Sequence, residues 1–256
     1  CRRAAEWLVA ELRSLGFDWQ IARTEDLKGF CRAHGSEPQL FFRLPAAGPG
    51  QAEAGLARLR AQLAGQPRSP SGAFWHKGIY PDQLWLDGLY MAAPFHLRTS
   101  LEAGDEAGVE DVLLQFRLAL EHCSEPGRPG LLKHAWNEGS AQAWAEPHTG
   151  RSPNFWARAM GWFLMAQADC LGLLPPAHPG RPGLEAGFRQ VAAGVLSVAD
   201  PETGLWWQVL DQAGVPGNYL EASASAMFVY ALMKGLGLCL LGPSPGAAPG
   251  PEPLEA

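Results

Sequence analysis

The sequence predicts an all-α protein made of packed helical hairpins, and three observations carry that expectation. Apolar residues recur with helical spacing along most of the chain, runs with the two-residue period of a strand are almost absent, and the helical segments are joined by long loops rich in aromatic residues. A bundle and a helical toroid both satisfy the pattern. Long loops gathered at one end favour the toroid.

Seven or so helices follow in order. Arg2 to Leu15 carries apolar residues at 4, 5, 8, 9, 12 and 15, and Gln51 to Leu63 carries them at 52, 56, 59 and 63, as amphipathic helices do. A Pro/Gly break at Pro45 to Gly50 separates the two. Pro81 suits the first turn of a helix running to about Thr99, with Asp82 near its N-terminus. Asp105 to His122 is next, closed by "SEPGRPG". Ser152 as cap and Pro153 in the first turn start a helix from Asn154 to about Leu173, which Pro175 to Gly183 ends. Leu184 to Val198 is helical again, "LWWQVL" and "DQAGVPGNYL" read as an extended piece and a loop, and Glu221 to Leu241 is the last helix. Residues 1–241 are expected to form one domain. Residues 242–256, "GPSPGAAPGPEPLEA", cannot bury enough apolar surface to order themselves and read as a disordered tail.

Composition narrows the function classes. A chain of 256 residues, 47% hydrophobic and 18% charged, can bury an ordinary core. A net charge of −6 argues against nucleic acid or an acidic membrane as the main partner, although one arginine can still hold a small anion. The longest apolar stretch, Ala226 to Leu241, is short for a membrane span and is broken by Lys234. Cys1, Cys31, Cys123, Cys170 and Cys239 are odd in number and widely spaced, which suits neither a disulfide framework nor a metal knuckle and favours the cytoplasm over secretion. The seven histidines show no metal-ligand spacing, and no nucleophile elbow, phosphate loop, dinucleotide fingerprint or H-E-x-x-H is present, so neither a metal nor a cofactor is expected.

Ten tryptophans are the anomaly. Trp75 adjoins His76, Trp85 lies near Asp87, Trp136 adjoins Asn137, and Trp162 follows Arg158 by four residues. Flat rings with polar neighbours suit the C–H faces and hydroxyls of a sugar; a tryptophan-rich core fits composition equally well.

Three segments concentrate chemistry. In "YPDQLWLDGLYMAAPF", helical spacing puts Gln83, Asp87, Tyr90 and Met91 on one face, the Asp87 carboxyl amid apolar neighbours where burial raises its pKa, and Gly88 beside it admits close approach. In "SPNFWARAMGWFLMAQADC", Arg158 and Trp162 share a face with Gly161 leaving space between them: a fixed cation and a stacking plate, or a structural cation–π pair. "GLWWQVL" offers Trp206, Trp207 and Gln208, and the small residues Ala222 to Ala226 at the next helix start suit an anion or, preferentially, tight packing. A further stretch, "LLKHAWNEGSAQAW", holds His134, Trp136, Asn137 and Glu138 with no clear period.

Together, "WHKGIYPDQLWLDGLYMAAPF", "HAWNEGSAQAWAEPHTGRSPNFWARAMGW" and "GLWWQVLDQAGVPGNYLEASASAMFVYALMKG" resemble the unsaturated rhamnogalacturonyl and glucuronyl hydrolases of glycoside hydrolase families 88 and 105, from about Ala54 to Leu241 and in the same order. The resemblance implies an (α/α)6 toroid, the six-hairpin glycosidase fold, with the site in its funnel. It also implies a small unsaturated oligosaccharide as partner and hydration of the C4–C5 double bond by one general acid, in place of two spaced carboxylates. In the family pattern the acid is the aspartate of an "H-A-W-D" segment, which falls on Asn137; a second aspartate is kept as Asp87, and His134, Arg158 and Trp162 match substrate-contacting positions. Trp136, Trp207 and Gln208 are expected to line the same site. An amide cannot donate the proton, so the resemblance leaves a non-catalytic sugar-binding remnant, a weakened enzyme, or one in which Asp87 or Glu138 serves instead. Twelve helices need on the order of 200 residues before long loops are added, so closing hairpins are expected to be missing.

Overall fold

A computed structural model describes residues 49–241. The helix expected at Arg2 to Leu15 and the tail at 242–256 lie outside the described residues. The chain divides between Ala57 and Arg58, and the packing described below is that of the described residues from Arg58 on.

Six helices and two short strands are present among the described residues: α1 (Pro49–Ala64), β1 (Gln83–Trp85), α2 (Leu86–Ala103), α3 (Glu106–Cys123), β2 (Ala135–Asn137), α4 (Ala157–Leu173), α5 (Arg181–Ser197) and α6 (Ala222–Gly237). The six helices correspond one to one with the expected ones. None of them is long and apolar enough to cross a membrane.

The hairpin α2–α3 turns on two residues. Gly104 ends α2 in the left-handed conformation at φ 66°, and the Asp105 side chain accepts from the Gly108 amide at 3.1 Å to cap α3. On α3, Val109, Val112, Leu113, Phe116 and Ala119 form one buried stripe. On α4, most faces are buried, from Ala157 through Met160, Phe163 and Leu164 to Leu171, so this helix must be surrounded. It packs against α2 on one side and α6 on the other, with α5 behind it and α3 behind α2. The result is an inner row α2–α4–α6 and an outer row α3, α5.

Three expectations change. The helix does not begin at Pro81: Asp82 takes φ 54°, and residues 83–85 pair antiparallel with β2, Gln83 opposite Asn137, Leu84 opposite Trp136 and Trp85 opposite Ala135. Gln83 is therefore buried in a strand and shares no helix face with Asp87. Ser152 and Pro153 do not start α4. Ser152 Oγ instead accepts from the Ala135 amide at 3.1 Å, and Trp156 stays extended because it bridges to Val209. The space at Gly161 is filled by α6: a Cβ there would lie 2.9 Å from the Cβ of Met227. The small residues after Glu221 likewise serve packing, and the N-terminus of α6 is occupied by the protein's own Glu221 carboxylate, which accepts from the Ala224 amide and the Ser223 hydroxyl.

Candidate active site at the N-terminal ends of the inner helices

Backbone hydrogen bonds stitch the starts of the inner helices to one another. Leu86, the first residue of α2, donates to the His134 carbonyl at 3.0 Å, and His134 donates to Asn154 at 3.3 Å, just ahead of α4. Ala157, the first residue of α4, donates to Gln208 at 2.9 Å, and Gln208 donates to Tyr219 at 2.8 Å, just ahead of α6. His134 and Gln208 are thus the links that bring three helix starts and their loops to one end.

Asp87 stands in the first turn of α2. Its Oδ2 is buried and makes no hydrogen bond within the protein. Burial pushes the carboxyl above the usual aspartate range; its own backbone amide, Arg158 and Lys77 pull the other way and do not prevail. A helix N-terminus ordinarily favours an anion, so desolvation outweighs the local dipole here.

Beside it rises an aromatic wall. The rings of His76, Tyr80 and Trp85 lie within 11° of parallel, with centroids 5.0 Å apart for His76 and Trp85 and 5.7 Å for Tyr80 and Trp85. Trp144 and His134 meet Trp85 edge-on at 6.4 and 5.6 Å, and His134 meets Trp156 edge-on at 6.0 Å. Burial, reinforced by Lys77, pushes His76 down to about 4, so it is neutral at physiological pH. Gly88 admits that ring: a Cβ at this position would lie 3.1 Å from His76 Nδ1. His134 Nδ1 lies 3.3 Å from the Asn154 carbonyl and 3.0 Å from Ser152 Oγ. The carbonyl can only accept, whereas the hydroxyl can donate or accept, so both ring tautomers of His134 find a partner at Nδ1. Burial also lowers the His134 pKa.

Arg158 sits with Cζ 5.0 Å from the Trp156 ring centroid, while Trp162 packs on Tyr90 at 5.0 Å. The cation and its plate are thus Arg158 and Trp156, and Trp162 belongs with the α2 tyrosine. Trp207 donates to Asp200 at 3.3 Å and is half-buried. Trp156 Nε1 and Gln208 Oε1 are buried without a partner in the protein, as is His76 Nδ1. Of the seven buried side-chain atoms lacking a partner among the described residues, four belong to this one end: His76, Asp87, Trp156 and Gln208.

Two expected site residues are placed differently. Trp136 is 5% exposed, stacks on His122 at 3.8 Å and donates to the Thr149 carbonyl at 3.1 Å, as a structural ring does. Asn137 is 1% exposed and fully bonded. Its Nδ2 donates to the carbonyls of Pro81 at 3.3 Å and Asp82 at 3.0 Å, and its Oδ1 accepts from the amides of Ala141 at 2.7 Å and Gln142 at 3.2 Å. Glu138 is engaged with Ser71, whose amide and hydroxyl donate to it at 3.1 and 2.8 Å. Sequence reasoning did not single out His76, Tyr80, Trp144 or Trp156 as site residues. The run "WHKGIY" carried a signal in its two adjacent rings and a third four residues on.

Inner and outer rows of helices thus carry, at one end, a cluster of aromatic rings and a buried Asp87 oxygen without a partner. The chain belongs to Glycosyl Hydrolase Family 88, whose profile matches residues 41–244. It is 42% identical over 151 residues to Protein Atu3128 of Agrobacterium fabrum, which is 59% of this chain and 63% of that protein. It is 33% identical over 173 residues to the unsaturated rhamnogalacturonyl hydrolase YesR of Bacillus subtilis, 66% of this chain and 47% of that one. A solved family 105 glycoside hydrolase from C. acetobutylicum superposes with a TM-score of 0.73 at 38% identity, covering 86% of this chain and 57% of that structure. The helices therefore belong to the six-hairpin glycosidase fold, the (α/α)6 toroid. The chain spans less than two thirds of the length of each of these relatives.

Proposed function

We propose that this protein hydrolyses short oligosaccharides that end in an unsaturated uronic acid, and that Asp87 is its general acid. The observation that carries the reading is the Asp87 carboxyl: half-buried, with Oδ2 buried and lacking a partner, and raised in pKa two residues past Trp85 of the aromatic wall. The likeness to YesR supports the substrate class.

A vinyl ether asks little of a protein. Protonated Asp87 delivers its proton to C4, positive charge develops at C5 next to the ring oxygen, and a water adds there. The carboxylate takes back a proton from that water, so one group serves as acid and then base. The resulting hemiketal opens and releases the remaining sugar. Arg158 is the cation suited to the uronic carboxylate, and the Trp85 and Trp156 faces suit the ring.

In this reading the Asn137 amide gives no proton to the substrate. Its four hydrogen bonds leave nothing free to face a substrate. Incubation with an unsaturated uronyl disaccharide, followed by the loss of double-bond ultraviolet absorbance, tests the reading: steady loss with release of the second sugar is expected. Persistent absorbance with sugar-dependent quenching of tryptophan fluorescence would instead mark a non-catalytic sugar-binding protein.

A further inference from the structure

We infer that the open strip of α4 is the floor of an elongated oligosaccharide groove, and that Asp169, Tyr230 and Lys234 form its far subsite, which takes two adjacent hydroxyls of a neutral sugar on the leaving side of the substrate. The inference rests on the proposed substrate class and adds a preferred chain length to it.

From Ala157 to Leu171 every residue of α4 is buried except Arg158, Trp162, Met165 and Asp169. Their spacing, i, i+4, i+7 and i+11, puts the four on one line down the helix. The helices α2 and α6 pack on the two sides of α4 and α5 lies behind it, so this line is the part of the helix that a ligand can reach. It starts at Arg158, the cation suited to the uronic carboxylate, and passes the Trp162 ring, which Tyr90 backs at 5.0 Å. It then crosses the apolar Met165 and ends on Asp169, about 16 Å from Arg158 along the axis. A disaccharide held at Arg158 stops short of Asp169. A tetrasaccharide reaches it.

The far end keeps bonding capacity that the fold does not use. Asp169 Oδ1 accepts from the Tyr230 hydroxyl at 2.8 Å and from Lys234 Nζ at 2.6 Å, while Oδ2 takes no hydrogen bond among the described residues and is not closed off from solvent. Lys234 Nζ also donates to the Tyr230 hydroxyl at 3.3 Å, which leaves one of its three N–H groups unused. The side chains of Asp169 and Lys234 are 17% and 33% exposed, and Tyr230 is 43% exposed. Burial opposes the Lys234 ammonium, but its bonds to Asp169 and Tyr230 prevail and hold its pKa above the usual lysine range; burial and Asp169 together push the Tyr230 phenol up. Both groups keep their protons at neutral pH.

An accepting carboxylate beside a donating ammonium matches two adjacent hydroxyls of a sugar ring, and the exposed Tyr230 ring offers a plate to its C–H face. The two charges cancel, so a second anionic group on the substrate meets no net cation here, and the matching sugar is neutral. A partly exposed ion pair adds little to stability. The helices α4 and α6 are in any case already closely packed through Gly161 and Met227.

The test uses the full chain with two substrates, an unsaturated uronyl disaccharide and an unsaturated uronyl tetrasaccharide whose three following sugars are neutral. In the double-bond assay the tetrasaccharide is expected to show a KM about tenfold lower than the disaccharide, as one or two added hydrogen bonds and a stacking face would give. Tyr230→Ala and Lys234→Met should each bring the two KM values to within about twofold of one another. A role in stability alone would impair both substrates alike, so a ratio that stays at the wild-type value in both variants overturns the inference. Binding is read apart from turnover. The neutral trisaccharide released from the tetrasaccharide, which has no uronyl end, should shift the ε-methyl NMR signal of Met165, assigned by its loss in Met165→Leu, and Tyr230→Ala should abolish the shift. No shift in the wild type overturns the far subsite even where both substrates turn over. A shift with neither substrate hydrolysed supports the groove and sinks the hydrolase reading alone.

Discussion

At the first turn of α2 a half-buried carboxyl keeps one oxygen, Asp87 Oδ2, buried without a partner. At the end of β2, beside the strand that feeds the same helix, an amide of nearly the same shape uses every hydrogen-bonding site it has. The two residues are alike in size and in sequence context: both follow a tryptophan closely, and both sit in aromatic, polar segments. Their difference lies in what surrounds them. A buried polar group left unsatisfied costs free energy, about 1–3 kcal/mol, and keeps its bonding capacity for a ligand. A group saturated by backbone partners has no capacity left for a substrate and belongs to the architecture. In the proposed mechanism the chemistry therefore lies on α2 and the scaffold on β2.

The largest effect that could break this division is on turnover. Asp87→Asn keeps the shape and removes the proton, and kcat should fall by about 10²–10⁴-fold in the double-bond assay. The same change should stabilise the protein. The sign follows from the raised folded-state pKa: Asp87 contributes stability in full below its unfolded pKa, and that contribution is lost as pH rises through the folded value. At neutral pH the neutral variant should therefore melt higher, by roughly 0.5–2 kcal/mol in denaturant unfolding.

Arg158→Met comes next. Losing a charge-assisted contact to the uronic carboxylate should raise KM about 10- to 100-fold with a smaller change in kcat. Equal loss in kcat would mean that Arg158 acts only in the transition state. On the scaffold side, Trp136→Phe keeps the stack on His122 but drops the bond to Thr149. It should cost about 1 kcal/mol in a thermal melt and leave KM in place. The smallest effect is expected at Gln167, which is fully buried on α4 with neither amide atom bonded and which lies away from the helix starts. Gln167→Met should raise stability by about 1 kcal/mol, since there the unsatisfied amide serves no chemistry in this account.

Much of the helical frame was legible. The stripe on α3 and the apolar run of α5 are periodic, α3 starts on the Asp105 cap and α5 with Pro182 in its first turn, and the helices fall where spacing puts them, within a few residues. Helix starts were less legible. Pro81 and Ser152 are sound local start signals, but β1 and β2 pair across about fifty residues of sequence, and that pairing holds the chain extended up to Leu86. Local propensity carries no information about such a partner.

The site divides along the same line. Asp87 stood out because apolar neighbours within its own segment already implied burial. His76, Tyr80 and Trp144 did not, because their contacts with Trp85 exist only once the loop before β1 and the loop after β2 converge on it. For Trp136 and Asn137 the sequence shows residue types suited to sugar binding but not their contacts with His122, Thr149 and four backbone groups, which exist only in the folded chain.

The most direct measurement is the titration of the Asp87 carboxyl itself in the substrate-free protein. Carbon NMR of protein labelled at aspartate carboxyls, with the Asp87 signal assigned by its loss in Asp87→Asn, reads the midpoint without reference to any substrate. A midpoint above the usual aspartate range is predicted, as burial without a partner requires. A midpoint within or below that range would mean that the carboxylate is solvated or paired, and Asp87 could not then be the proton donor.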